Sequence, residues 1–427
     1  MIPDKALIER HNEKQAARHH RKFEALAAVL ADEGFSVDSI LAKITDFQVA
    51  IPSWALGTGG TRFGRFAGGG EPRSLEEKIE DVGLLHALNS SSGAISLHIP
   101  WDIPQDAKAV RQLADSFDLK FDAVNSNTFQ DQQEQEQSYK FGSLSHTDKS
   151  VRDQAIAHNL DVIQHGVALG SKALSIWLSD GTDFPGQQIF RRAFQRTLDS
   201  LQQIYAALPS DWNMLVEYKP YEPHFYSTVI ADWGSSLLFC QKLGEKALGL
   251  VDLGHHLPNT NIEQIVSRFL MEGRLGGFHF NDSKYGDDDL TVGSIKPYQL
   301  FLIFNELVEG MGAPEVNNPA LSWMIDASHN VKDPLEDLLQ SVEAIKIAYA
   351  QALIIDREAL ERAQAENDVT LAQEILQNAY RTDVRPLLAQ ARLQAGAALQ
   401  PVAFYRDMKI REELVRQRGA KAFATGL

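Results

Sequence analysis

Short apolar runs alternate with longer stretches in which apolar residues recur every three or four positions, from about residue 47 to residue 333. The short runs are FQVAIP (47–52), AISLHIP (94–100), FDAVNSN (121–127), ALSIWL (173–178), NMLVEYK (213–219), LGLVDLGH (248–255), LGGFHFND (275–282) and SWMIDAS (322–328). Their near-continuous apolarity predicts strands buried on both faces, as in a parallel sheet. Helical spacing over 150–169, 186–207, 228–243, 260–272 and 295–310 predicts the helices that cover such a sheet. Eight strands alternating with helices predict closure into a TIM (β/α)8 barrel, so 47–333 is the expected catalytic unit.

The flanks read differently. Apolar positions at helical spacing run from about Asp4 to Glu33 and stop at Gly34, which makes 1–46 an N-terminal helical extension. From about Pro334 no strand pattern is visible, and Ala/Leu/Glu/Arg-rich helices run on with few apolar residues to bury on their own account. The expectation for 334–427 is a helical arm that wraps another subunit. The alternative is a helical layer on its own barrel.

Composition narrows the function. At 427 residues, 44% hydrophobic and 23% charged, the chain fits one barrel of about 250 residues with terminal extensions. A net charge of −16 argues against a sequence-independent grip on nucleic acid and against an anionic membrane face. The one cysteine, Cys240, lies in the apolar run SSLLFCQKL, so no intrachain disulfide or thiolate zinc site is expected. The charged amino terminus lacks a signal-peptide core, and no apolar stretch approaches the ~20 residues of a membrane span. These features predict a soluble cytoplasmic protein.

Ionisable residues gather where the apolar runs end. Glu217 and Lys219 end the fifth run, Asp252 and His255 the sixth, His279 the seventh and Asp326 the eighth, with Asp287 and Asp289 following in YGDDDL. Trp54, His98, Asn125, Asn127 and Trp177 occupy the ends of the first four. In (β/α)8 proteins the active site lies at these carboxyl ends. Buried charges cost several kcal/mol per ion unless neutralised, and one or two divalent cations would do that. Oxygen-rich coordination with one imidazole per metal favours Mn, Mg or Co over structural zinc. Taken alone, D-x-x-H at 252–255 is weak, His256 competes with His255, and Asp287 and Asp289 read as a solvated acidic turn. The glycine-rich GTGGTRFGRFAGGG (57–70) lacks the P-loop pattern and reads as a mobile loop presenting Phe63 and Phe66, or as an ordinary excursion.

With these residues placed, the chain resembles the L-rhamnose isomerases of the broad-specificity bacterial type, within the xylose-isomerase-like barrels. The segments that carry the resemblance are IPSWALGTGGTRF, SLHIPWD, NSNTF, SYKFGSLSHTD, VDLGHHLPNTNIE, GGFHFNDSKYGDDDL and MIDASHNVKDP. It implies an aldose–ketose isomerase interconverting L-rhamnose and L-rhamnulose with two divalent cations per subunit, Mn2+ ahead of Co2+ or Mg2+. Glu217, Asp252, His279 and Asp326 would hold one metal; Asp252, His255, Asp287 and Asp289 would hold the second, with His255 and Asp289 also catalytic. Lys219 would polarise the carbonyl-end oxygen in a metal-assisted 1,2-hydride shift, and His98 would open the ring or bind the sugar. Trp54, Phe129 and Trp177 would pack on the sugar's apolar face. Phe63 would reach a neighbouring subunit's site, which implies a homotetramer. The rivals are a base-driven cis-enediol route, another preferred aldose such as D-allose, a metal-dependent phosphodiesterase resembling abasic-site endonucleases, and a non-catalytic sugar sensor.

Overall fold

The computed structural model describes residues 4–57, 68–133, 135–329 and 331–421. Eight parallel strands form its centre: Ala50–Pro52; Ala94–Ser96 continued by His98–Ile99; Lys120–Phe121 continued by Val124–Ser126; Ala173–Ile176; Asn213–Glu217; Ala247–Asp252; Leu275–Phe280; and Ser322–Ile325. Each pairs in parallel with the next, and the first also pairs with the eighth through Ala50 and Met324, so the sheet closes. The chain is an α/β TIM barrel, as its apolar pattern predicts. The strands are shorter than the apolar runs, because the last residues of each run have left the hydrogen-bond ladder. His255 therefore stands on a turn beyond the sixth strand, not at its end.

Alternation along the pleat explains what fills the barrel. Successive side chains point to opposite faces, so residues two apart share one face. Ala50, Ala123, Ala173, Leu215, Leu248, Leu250 and Met324 form a separate apolar cluster, with Ala94 packed against it. The larger apolar core lies between sheet and helices and includes Val216, Val251, Phe278 and Ile325. On six of the eight strands the residue two beyond the inner cluster is polar: Ser96, Asn125, Ser175, Glu217, Asp252 and Asp326. The barrel is thus plugged with hydrocarbon below and polar above.

The two terminal segments pack on each other, and the C-terminal one also packs on the barrel's own helices. Helix Lys5–Asp32 is capped by Asp4, whose side chain accepts from the Ala6 N–H at 3.1 Å. Past its C-cap Glu33 the chain turns at Gly34, whose φ of +89° suits glycine. Asn12 exchanges hydrogen bonds with Ala397 and Leu399 at 2.9 Å each. Helix Pro334–Leu353 buries Leu335, Leu338, Leu339, Val342 and Ile345, so this segment buries more of itself than the sequence suggested. Arg411 grips Asp333 at 2.6 Å and Arg418 grips Asp81 at 2.8 Å. Among the described residues, no single helix is long and apolar enough to cross a membrane.

Candidate metal centre

Parallel register brings the acidic and imidazole groups together. Asp252 is the strand partner of His279, and Leu250, two residues before Asp252, is the partner of Glu217. One ligand atom each from Glu217, Asp252 and His279 lies within 4.8 Å of the others, and all three residues are buried. His279 Nδ1 stands 3.1 Å from Glu217 Oε1, and 3.8 Å from both Asp252 Oδ2 and Asp326 Oδ2. The Trp54 indole N–H donates to Asp326 Oδ1 at 2.8 Å, which orients the carboxylate.

A second group adjoins the first. His255 Nδ1 is 3.2 Å from Glu217 Oε1, and His255 Nε2 is 3.2 Å from Asp287 Oδ1. His256 turns away, and its Nε2 pairs with the Tyr218 hydroxyl at 2.7 Å. Asp287 and Asp289 take φ of 51° and 49°, the left-handed region that non-glycine residues rarely adopt. The Ser328 N–H holds the Asp289 carbonyl at 2.8 Å. Backbone strain of this kind collects at functional sites, where surrounding structure enforces it.

The electrostatics show an excess of negative charge. Burial drives the Asp252 carboxyl up to about 7, with His255 opposing and Glu217 and Asp326 adding to the rise. Asp289 is raised well above the carboxylate range by burial and by Asp287, Asp326 and Asp252. Burial also raises Glu217, but His279 and His255 more than reverse this and hold it low. Against its own burial, His279 is lifted to about 9 by Glu217 and Asp326. Five carboxylates (Glu217, Asp252, Asp287, Asp289 and Asp326) thus face two imidazoles, His255 and His279. Asp252 Oδ1 accepts from Gly254 N at 2.7 Å and Asn281 Nδ2 at 2.9 Å, whereas Oδ2 is buried with no hydrogen-bond partner among the described residues. A buried carboxylate oxygen without a donor, amid oxygen and imidazole donors, fits a divalent cation.

The surrounding walls are aromatic and basic. Lys219 Nζ lies 2.5 Å from Glu222 Oε1 and from Asp287 Oδ2, and 5.0 Å from the Trp177 ring centre. Phe129 stands 5.0 Å from Trp177 and 6.0 Å from Trp101. The Trp177 indole N–H is buried without a partner among the described residues. His98 is pushed down to about 4 by burial, so it is neutral near pH 7, and its Nδ1 also lacks a partner. Asp102 ties this corner together, accepting from His98 N at 2.8 Å, Ser53 Oγ at 2.5 Å and Lys78 Nζ at 2.6 Å.

Several expected residues take other tasks, and some were missed. Asn125 donates to Ser96 Oγ at 2.8 Å, and Asn127 to the Ile99 carbonyl at 2.7 Å, so both serve the barrel rim. Phe63 lies outside the described residues. Cys240 is fully buried, and burial pushes its thiol up to about 12, which fits a core residue and not a nucleophile. Sequence reasoning overlooked Glu222, Asn281, Asp102 and Trp101. Only Asn281 carried a signal, since it continues the inward alternation one step past His279.

The chain is 52% identical over 421 residues to a probable sugar isomerase of Mesorhizobium japonicum, covering 98% of this chain and 97% of that protein. A probable sugar isomerase of Rhizobium meliloti is 53% identical over 407 residues, covering 95% of this chain and 94% of that protein. Similarity to xylose isomerase of Thermus thermophilus is 26% over 263 residues, 56% of this chain and 65% of that protein. Among solved structures, L-ribulose 3-epimerase is similar in fold, with a TM-score of 0.51 at 13% identity over 76% of this chain and 98% of that one. No family model matches.

Proposed function

The chain belongs to the sugar isomerase family, and from that premise we propose that it interconverts L-rhamnose and L-rhamnulose, using two divalent cations. The observation that carries this reading is the convergence of Glu217, Asp252, His279 and Asp326 from neighbouring strand ends beside the pair His255 and Asp287. Glu217, Asp252, His279 and Asp326 would hold one cation, and Asp252, His255, Asp287 and Asp289 the other, with Mn2+ preferred over Co2+ or Mg2+. When bound, these ions supply Lewis acidity toward adjacent sugar oxygens, the condition for a metal-assisted 1,2-hydride shift.

The protein's own groups do the rest. Lys219, fixed between Glu222 and Asp287, sets an ammonium where negative charge develops on the carbonyl-end oxygen. His98 is neutral near pH 7 and offers a ring nitrogen as acceptor when the sugar ring opens. Phe129, Trp177 and Trp54 present aromatic faces to the sugar's C–H side and exclude water. His255, 3.2 Å from Asp287, and Asp289 would move the hydroxyl proton between the sugar oxygens.

An oligomer completes the reading. Phe141, Phe184, Tyr226, Leu257, Tyr285 and Val331 are each more than half exposed, on loops that follow the third to eighth strands in turn. Apolar side chains spread over the catalytic face favour cover by another subunit, here a homotetramer in which 334–427 acts as the oligomerisation arm and the Phe63 loop serves a neighbour's site. The lone buried cysteine suits a reducing cytoplasm.

The test is an assay of chelator-stripped protein across an aldose panel, with Mn2+, Co2+ and Mg2+ restored separately. L-rhamnose should show the highest kcat/KM, restored best by Mn2+. Turnover of no aldose, or full turnover without metal, would overturn the proposal. Extensive deuterium at the transferred carbon in heavy water would replace the hydride shift with the cis-enediol route.

A further inference from the structure

On the flank of the barrel, a cavity of about 840 Å³ opens between helices Lys5–Asp32, Pro334–Leu353 and Arg385–Gln394. Five cationic side chains line it (Arg18, Lys22, Lys332, Arg385 and Arg392), against two acids, Glu343 and Asp383. With Asp337 behind Lys332 counted as well, an excess of two positive charges remains, out of character for a chain of net charge −16. Such a concentration focuses potential in a concave wall and attracts anions.

The five cations differ in what they hold. Asp383 satisfies Arg385 at 2.6 Å, and Asp337 satisfies Lys332 at 2.8 Å. Arg392 is 7% exposed and spends its Nη groups on Glu343 at 2.5 Å and the Leu399 carbonyl at 3.0 Å. Its buried Nε has no hydrogen-bond partner among the described residues. Arg18 and Lys22 stand one helical turn apart, both exposed, and neither forms an ion pair among the described residues. The wall therefore holds three cations already matched by carboxylates, and at its rim two exposed cations, Arg18 and Lys22, that form no ion pair among the described residues.

We propose that this cavity binds a phosphate monoester dianion. Charge-assisted hydrogen bonds from guanidinium and ammonium groups suit phosphate oxygens. The volume falls in the range that holds whole small molecules and far exceeds what a bare phosphate needs. A phosphorylated sugar fits it. The choice of a sugar as carrier rests on the sugar-isomerase reading; the anion site does not. Lys332 also donates to Thr291 Oγ1 at 2.6 Å, two residues beyond Asp289, so an occupant borders the loop of the metal centre.

Isothermal titration of the intact, metal-loaded protein tests this, with inorganic phosphate, a ketose 1-phosphate and the unphosphorylated ketose as probes. The same titrations are run on Arg18→Ala/Lys22→Ala. The ketose phosphate is expected to bind at one site per chain, more tightly than inorganic phosphate. Both anions should weaken at least tenfold in the double variant, with neutral ketose binding and isomerisation unchanged. Absence of anion binding to the wild type at millimolar concentration overturns the proposal. So does equal binding by the double variant, which places the anion at the metal centre, and so does dissociation of the assembly without any change in anion affinity, which assigns the cavity to a second copy of this chain. Binding is read without turnover, so failure of the isomerase reading and failure of this site are separate results.

Discussion

Asparagine at position 252 puts the metal centre to its sharpest test. Asp252 is fully buried, with Oδ1 held by Gly254 N and Asn281 Nδ2 and with Oδ2 lacking a hydrogen-bond partner among the described residues. Asparagine can keep its carbonyl at Oδ1 and both of those bonds. It replaces Oδ2 with an NH2 donor, so shape persists while one charge and one lone pair disappear. Two unit charges about 4 Å apart interact by about 4 kcal/mol at an effective dielectric of 20, and the double charge of Mn2+ raises this to about 8 kcal/mol. At 1.4 kcal/mol per decade, losing even half of that attraction raises the Kd for Mn2+ by about three orders of magnitude. Titration of Mn2+ into chelator-stripped protein reads the change directly. Thermal unfolding reads it independently, because an ion at 100 times its Kd stabilises the fold by about 2.7 kcal/mol. Wild-type Tm should climb with added Mn2+, and the variant's should not move. A variant that binds within tenfold of wild type, with the same rise in Tm, would refute the role given to Asp252.

Three further outcomes are expected. Lys219→Ala should retain Mn2+ stoichiometry by elemental analysis yet lose about 10²–10³ in kcat, the scale of one electrostatic stabiliser; turnover within tenfold of wild type would rule the role out. Arg418→Ala strips the buried Asp81 of its partner at 2.8 Å and should cost about 3–5 kcal/mol in urea unfolding, whereas a loss under about 1 kcal/mol would show that the C-terminal helix is not anchored there. Lys346 is buried, donates to the Ile44 and Phe47 carbonyls, and is lowered by burial from 10.5 to about 7. Below pH 7 both folded and unfolded chains hold its proton and the full cost of burying charge is present. Between pH 7 and 10.5 only the unfolded chain holds it, so this residue makes stability rise with pH. Wild type should therefore gain stability relative to Lys346→Met from pH 7 to 10, and a flat difference between the two would contradict the sign.

Much of the site could be read in advance because strand geometry is periodic. Once a run is known to face the barrel interior at Leu215, Leu250 or Met324, the residue two further on, Glu217, Asp252 or Asp326, must face it too. The barrel itself follows from the same arithmetic, since eight doubly buried strands joined by amphipathic helices leave few other arrangements. Loops carry no such period. Nothing local marks Glu222 as the partner of Lys219, or Asp102 as the acceptor shared by His98, Ser53 and Lys78. The C-terminal helices were underestimated for a different reason. Much of what they bury is alanine, including Ala348, Ala350, Ala352, Ala363 and Ala391, which adds little to an apolar pattern but allows helices to approach closely.

By itself the sequence determined the strand count, the inward-facing positions and the chemical character of the barrel mouth, because all three follow from side-chain alternation along single segments. Only the tertiary structure separates His255 from His256, by giving Tyr218 to the second and Glu217 and Asp287 to the first as neighbours. It alone left Asp252 Oδ2 without a donor and gathered cations along the flanking cavity. Those outcomes depend on which distant groups share a volume, a quantity that closure of the barrel sets and that no stretch of neighbouring residues encodes.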